Sequence, residues 1–190
     1  MNTIISESDG INDIPIDVYQ KLANDRILFI YDTITDRAAT NIVATLLLKD
    51  QEDSSKKITL FINSAGGSIR NALMIYDMMN LIESPIETIC VGEASDEAII
   101  ILSSGTQGHR FATKNSIISI SQLYHQSVMP SDMSSAKKHL DLSIEDNRRM
   151  MNIIMKTTNK DIKQIMNDTD RRLFMNSRQA VKYNIIDKVI

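Results

Sequence analysis

Hydrophobic and polar positions along this chain follow two rhythms. Runs that are almost wholly apolar and rich in β-branched residues recur at 26–31, 57–62, 86–91 and 116–121, with a last one at 185–190. Each predicts a strand buried on both faces. Between them the apolar residues fall at helical spacing. Ile42/Leu46 and Val43/Leu47 predict a helix over 35–50, with Thr35 able to cap it. Ala72, Tyr76 and Met79 share one face of a helix over 68–82, which Pro85 closes off. Residues 95–104 read as a short, nearly all-apolar helix, 132–158 as a long, charged, Met-rich one, and 177–183 as another short one. Strands alternating with helices predict an α/β fold with a mostly parallel sheet. The stretch up to Pro15 is polar and carries Asp-Gly and Asn-Asp turn steps, which predicts a flexible leader.

Composition narrows the function classes. The 190 residues are 43% hydrophobic, enough for one sizeable core, and carry 21 basic against 24 acidic side chains, a net charge of −3. That balance argues against nucleic acid as the main partner, because such affinity rests on neutralising phosphate charge. The single cysteine, Cys90, excludes a disulfide framework and a cysteine-based zinc site, and its apolar neighbours Ile89 and Val91 predict a buried structural thiol. No basic residue precedes Lys21, and the most apolar run, 98–102, is far too short to cross a bilayer. The expectation is a cytoplasmic protein with no membrane partner.

Candidate chemistry collects at the strand-to-helix turns. Asn63-Ser64-Ala65-Gly66-Gly67-Ser68 can present backbone N–H groups at a helix start, as an anion or oxyanion site does, although such a turn needs glycine for steric reasons alone. Gly92-Glu93-Ala94-Ser95-Asp96-Glu97-Ala98 sets three acids beside an apolar helix. They suit acid–base work or, more plainly, helix capping by Ser95 or Asp96 with Glu97 in the first turn. Of the three histidines, His109 and His139 fall in polar surroundings. His125, after the fourth strand, is the one placed for catalysis, with solvent exposure as the plain alternative. None is spaced from another as metal ligands are, so no metal is expected. Asp168-Thr169-Asp170-Arg171-Arg172 reads as a solvated turn or a subunit contact.

The order of these blocks resembles the proteolytic subunit of the Clp protease family. The resemblance is carried by Tyr19-x-x-Leu22-x-x-Asp25-Arg26-Ile27, by Asn63-Ser64-x-Gly66-Gly67-Ser68, and by Ile75-Tyr76-Asp77 with Thr88-Ile89-Cys90-Val91-Gly92. It continues through Gly108-His109-Arg110-Phe111-Ala112, Asn115, Asp168-Thr169-Asp170-Arg171 and the closing Ala180-Val181-x-Tyr183-x-Ile185-Ile186-Asp187. It spans about 18–190. The resemblance implies a crotonase-like α/β wedge whose projecting handle helix, 132–158, interlocks two stacked seven-membered rings fed by an ATP-dependent unfoldase. Residues 1–17 would then be a leader or an axial-pore segment. No cofactor is implied.

The family works through a Ser-His-Asp triad, and all three matching positions differ here. The nucleophile's place in Gly-x-Ala-x-Ser-Met-Gly falls on Asp96, the histidine's place before Gln122 on Ser121, and the acid's place on Arg172. A carboxylate is a poor acyl acceptor, a serine cannot serve as its base, and an arginine would repel an imidazolium. The family's oxyanion donors match the backbone N–H groups of Gly67 and Glu97, now beside two acids. The glycine-rich substrate strand is replaced by 123–130, which holds no glycine. Asp170 and Arg171 match the ring–ring charged pair, and Phe61, Leu81 and Ile190 match the unfoldase-docking positions. The leading expectation is a catalytically inactive subunit, in rings of its own kind or with active paralogues. The alternatives are a peptidase with a displaced Ser95–His125 pair, and a crotonase-like acid–base enzyme using Glu93, Asp96 or Glu97.

Overall fold

The computed structural model describes residues 4–8, 13–121 and 132–190. Where a flexible leader is expected, Ile4–Ser8 (β1) pairs antiparallel with Asp13–Asp17 (β2), Ile4 opposite Asp17 and Ser8 opposite Asp13. Isoleucines at 4, 5, 14 and 16 favour extended backbone. A short helix that the apolar pattern does not announce, Val18–Asn24 (α1), follows at once. Asp17 caps it by accepting the Tyr19 N–H at 2.8 Å.

The main sheet is built on Ile27–Tyr31 (β3), Ile58–Ser64 (β4) and Ile86–Ser95 (β5), all parallel, continued by Arg110–Ala112 (β6) and Lys188–Val189 (β9). Ile117–Ile120 (β7) runs parallel to the far half of β5 and pairs antiparallel with Leu173–Asn176 (β8). The mostly parallel α/β architecture expected from the sequence is therefore present, with two short strands, β6 and β8, that the pattern does not reveal. Asp36–Glu52 (α2) and Ile69–Leu81 (α3) pack beside the sheet, and Thr35 caps α2 as expected. Ala98–Ser103 (α4) lies at the centre of the core, where Ile99, Ile100, Ile101 and Leu102 have no exposed surface. Burying each such side chain contributes roughly 1.5–3 kcal/mol, which explains why so short a helix holds its place.

The pairing of β5 decides where the site lies. Ile62 and Ser64 of β4 pair with Cys90 and Ala94, so the register slips as β5 bulges past Asn63. Gly92 absorbs the bulge at φ +97, and a Cβ there would stand 2.6 Å from Asn63 Oδ1. That same oxygen accepts the Glu93 N–H at 3.1 Å. The first half of β5 thus pairs with β6 and the second with β7, and the strand runs on to Ser95 instead of ending at Val91.

Met133–Thr158 (α5) matches the predicted long helix, and only its C-terminal half meets the core, through Met150, Met151, Ile153 and Ile154. Its first half leaves Met133, Leu140, Leu142 and Ile144 exposed. Ile162–Asp170 (α6), also unannounced by the pattern, and Ser177–Tyr183 (α7) complete the fold. Arg110, 4% exposed, ties these parts together. Its guanidinium donates to the carbonyls of Ser103, Thr157 and Asn184 and forms an ion pair with Asp187 at 2.7 Å.

Replacing Arg110 by Met should cost about 3 kcal/mol in denaturant unfolding, because it strands the partly buried Asp187 carboxylate and three carbonyls. Burial pushes the Asp187 carboxyl up, but hydrogen bonds from the Arg110 side chain and the Arg110 and Gly108 N–H groups outweigh it and hold it below its ordinary value. Such a group adds stability above its unfolded pKa and loses that contribution as pH falls through the folded value. The melting-temperature gap between wild type and Asp187→Asn should stay level near neutrality and close as pH drops below about 4.

Candidate functional site

The site forms where β5 hands over to α4 at the carboxyl end of the parallel strands, the usual place for a crevice in open α/β sheets. Asp96 sits in the turn between them at φ +51, a left-handed conformation that Asp tolerates better than most residues. Its N–H donates to the Ser119 carbonyl at 3.1 Å, which anchors the turn to β7. A sharp strand–turn–helix of this kind lifts one side chain above the sheet edge, as a nucleophile requires. Here the side chain lifted is a carboxylate.

Two residues far from it in sequence meet at that carboxylate. Ser121, just past β7 and 2% exposed, donates its hydroxyl to Asp96 Oδ1 at 2.7 Å. Arg172, between α6 and β8, donates Nη2 to Asp96 Oδ2 at 3.2 Å and lies over the Phe174 ring. The three degenerate triad positions expected from the sequence are therefore side by side. A hydroxyl and a guanidinium both point at one carboxylate, and neither can act as a base toward a nucleophile.

Glu97 takes a different course from the one its sequence position suggests. It stands at the N-cap of α4 yet makes no capping hydrogen bond there, and neither Ser95 nor Asp96 caps the helix with its side chain. The capping expectation is thus corrected: each of these side chains has another partner. The Glu97 carboxylate, in a residue 7% exposed, accepts the Gly67 N–H at 2.9 Å. The Gly66–Gly67 turn is strapped to Ile34, whose N–H donates to the Gly66 carbonyl and whose carbonyl accepts the Ser68 N–H. A Cβ on Gly67 would stand 2.6 Å from the Ile34 nitrogen, and one on Gly66 would collide with Glu97 Oε2. Close approach of the Ile34 backbone requires glycine at 67, and a φ of +105 favours it at 66.

The remaining candidates separate. Ser95 has no exposed surface; its hydroxyl donates to Glu93 Oε1 at 2.6 Å and accepts from the Ser119 hydroxyl at 2.8 Å. It faces inward beneath the turn, since adjacent residues at the end of a strand point to opposite faces. His125, Gln122 and the substrate-strand segment 123–130 lie outside the described residues. His109 is half exposed, 3.7 Å from Glu87, and His139 is exposed on α5. Burial pushes the Cys90 thiol up to about 11, as suits a structural cysteine. Among the described residues no three His, Cys, Asp or Glu side chains are grouped to hold a metal, and no helix is long and apolar enough to cross a membrane. Sequence reasoning placed Gly67 and Glu97 at one site as two backbone donors but missed that one side chain fills the other's N–H.

A parallel sheet flanked by helices, with a strand–turn–helix site facing a glycine turn, is an α/β architecture that fits the crotonase-like class. The family model for Clp protease matches residues 12–190 of the chain. The chain belongs to the Clp protease family, as a Clp-type proteolytic subunit by fold.

Arg172 leaves about half of its side chain in solvent, so its bond to Asp96 is a modest one. A double-mutant cycle between Asp96→Ala and Arg172→Ala should give a coupling of about 0.2–1 kcal/mol in thermal unfolding. That coupling should fall further in high salt.

Proposed function

We propose that this chain is a catalytically inactive subunit of an ATP-dependent Clp-type proteolytic complex. The observation that carries the reading is the closure of Ser121 and Arg172 onto Asp96. Peptide hydrolysis by a hydroxyl needs a base able to take its proton near neutral pH and a third group to orient that base. Here a carboxylate stands where the hydroxyl should be and a hydroxyl where the imidazole should be, so neither role is filled. Loss of a single triad member already removes most of the acceleration in such a unit, and here all three places differ.

The displaced-site reading loses support because the Ser95 hydroxyl is buried and committed to Glu93 and Ser119. The acid–base reading needs an open oxyanion site and a free carboxylate. Glu93, Asp96 and Glu97 are each hydrogen-bonded, Glu97 to the oxyanion turn itself.

Assembly is the retained role. The projecting half of α5, about 20 Å long at 1.5 Å per residue, carries exposed Leu140, Leu142 and Ile144 that favour a partner helix. Asp170 and Arg171 are exposed at the end of α6, which suits a charged contact with another subunit. Leu81 and Ile190 are exposed, and Phe61 stacks on Phe29 at 5.4 Å within an aromatic group that includes Tyr19 and Tyr31; these apolar features suit docking of an unfoldase. Residues 1–17 would then serve as an axial-pore segment before a single domain over 18–190, in the cytoplasm. The rings hold this chain alone or with active paralogues.

The purified chain should not cleave a fluorogenic short peptide, and a fluorophosphonate should label neither Ser95 nor Ser121. Turnover that disappears in Ser95→Ala or Ser121→Ala would overturn the reading. Sedimentation should show assemblies larger than a monomer, and Leu140→Asp with Ile144→Asp should reduce their size without lowering the melting temperature.

A further inference from the structure

Acyl chemistry has two separable requirements: a nucleophile with its base, and a cradle for the oxyanion. The substitutions at Asp96, Ser121 and Arg172 touch the first. We propose that Glu97 imposes a second, independent block as a tethered occupant of the oxyanion cradle. The inference rests on reading this site as the counterpart of the family's peptidase site.

Four observations carry it. The Gly67 N–H meets Glu97 Oε2 at 2.9 Å, within the range at which an oxyanion itself would be held. The carboxylate is buried, and a buried charge persists only where donors receive it. The carboxylate packs directly on the turn: a Cβ on Gly66, which sits at φ +105, would collide with Oε2. Finally, Glu97 leaves the start of its own helix α4 uncapped by its side chain and reaches the turn before α3, whose N-terminal dipole favours negative charge.

The consequence is competitive. A carboxylate accepts hydrogen bonds more strongly than the neutral carbonyl of a peptide. Held within the same chain, it also has no association entropy to lose, whereas a substrate does. A peptide carbonyl therefore meets a donor already engaged, and an oxyanion forming beside Oε2 meets a like charge. Restoring the triad alone leaves the chain blocked.

The test uses the full-length chain in two arms. In the first, Asp96→Ser, Ser121→His and Arg172→Asp are combined, with Glu97 kept or with Glu97→Met added, and labelling by a fluorophosphonate is timed. The four-substitution variant should label about 10²–10³-fold faster, the value of an oxyanion donor. Equal rates, or silence of the four-substitution variant, would overturn the proposal. In the second arm, amide hydrogen exchange at Gly67 is measured in the otherwise unchanged chain. Glu97→Met should speed that exchange at least about tenfold while Glu97→Gln, which keeps an acceptor oxygen, changes it less. Unaltered exchange in Glu97→Met would overturn the contact itself. Failure of the function proposed above shows separately, as peptide turnover by the unmodified chain.

Discussion

One constraint organises the molecule: β5 must satisfy two different strands along a single edge. Its first half pairs with β6 and its second with β7, while β4 lines the other edge throughout. A straight strand cannot hold both registers, so the backbone bulges at Gly92, where Asn63 occupies the space a side chain would need. The bulge lets β5 continue to Ser95, and the turn that follows is pinned by the Asp96 N–H on the Ser119 carbonyl. Everything at the site depends on that placement. It sets Asp96 above the sheet edge, puts Ser95 underneath, and sends α4 into the middle of the core.

The electrostatics of the site follow from what fills those positions. A peptidase site of this shape would present an uncharged hydroxyl, an imidazole and one acid around a pair of open N–H donors. Here two carboxylates occupy the turn, one held by Arg172 and Ser121 and the other by Gly67. The arrangement satisfies its charges internally, a stable condition for buried acids and a poor one for chemistry that must develop new negative charge. Asp96, Ser121 and Arg172 supply partners for one another. The fold therefore carries the altered site without leaving an acid stranded.

Much was legible in the sequence for a physical reason. Strands buried on both faces must be apolar throughout, and helices against a sheet must repeat at 3.6 residues, so β3, β4, β5, α2, α3 and α5 announce themselves. The degenerate triad positions Asp96, Ser121 and Arg172 could be located because the motif order fixes their places, and the structure brings all three together. The β1–β2 hairpin also went unread where a flexible leader was expected, and the other unread elements, α1, α6, β6 and β8, are short and lack a strong pattern of their own.

What the sequence determined by itself was the class of fold, the family and the residue types at the candidate site, since these depend on residue type and order. Only the tertiary structure decided what the replacing side chains do. Whether Glu97 caps its own helix or reaches Gly67, and whether Ser95 faces solvent or Glu93, depends on a left-handed turn, a bulge at Gly92 and a strap at Ile34. The Glu97–Gly67 contact and the strap at Ile34 each cross 30 residues or more of chain, and a side chain's partner is set by which backbone lies nearest in space, which local sequence does not encode.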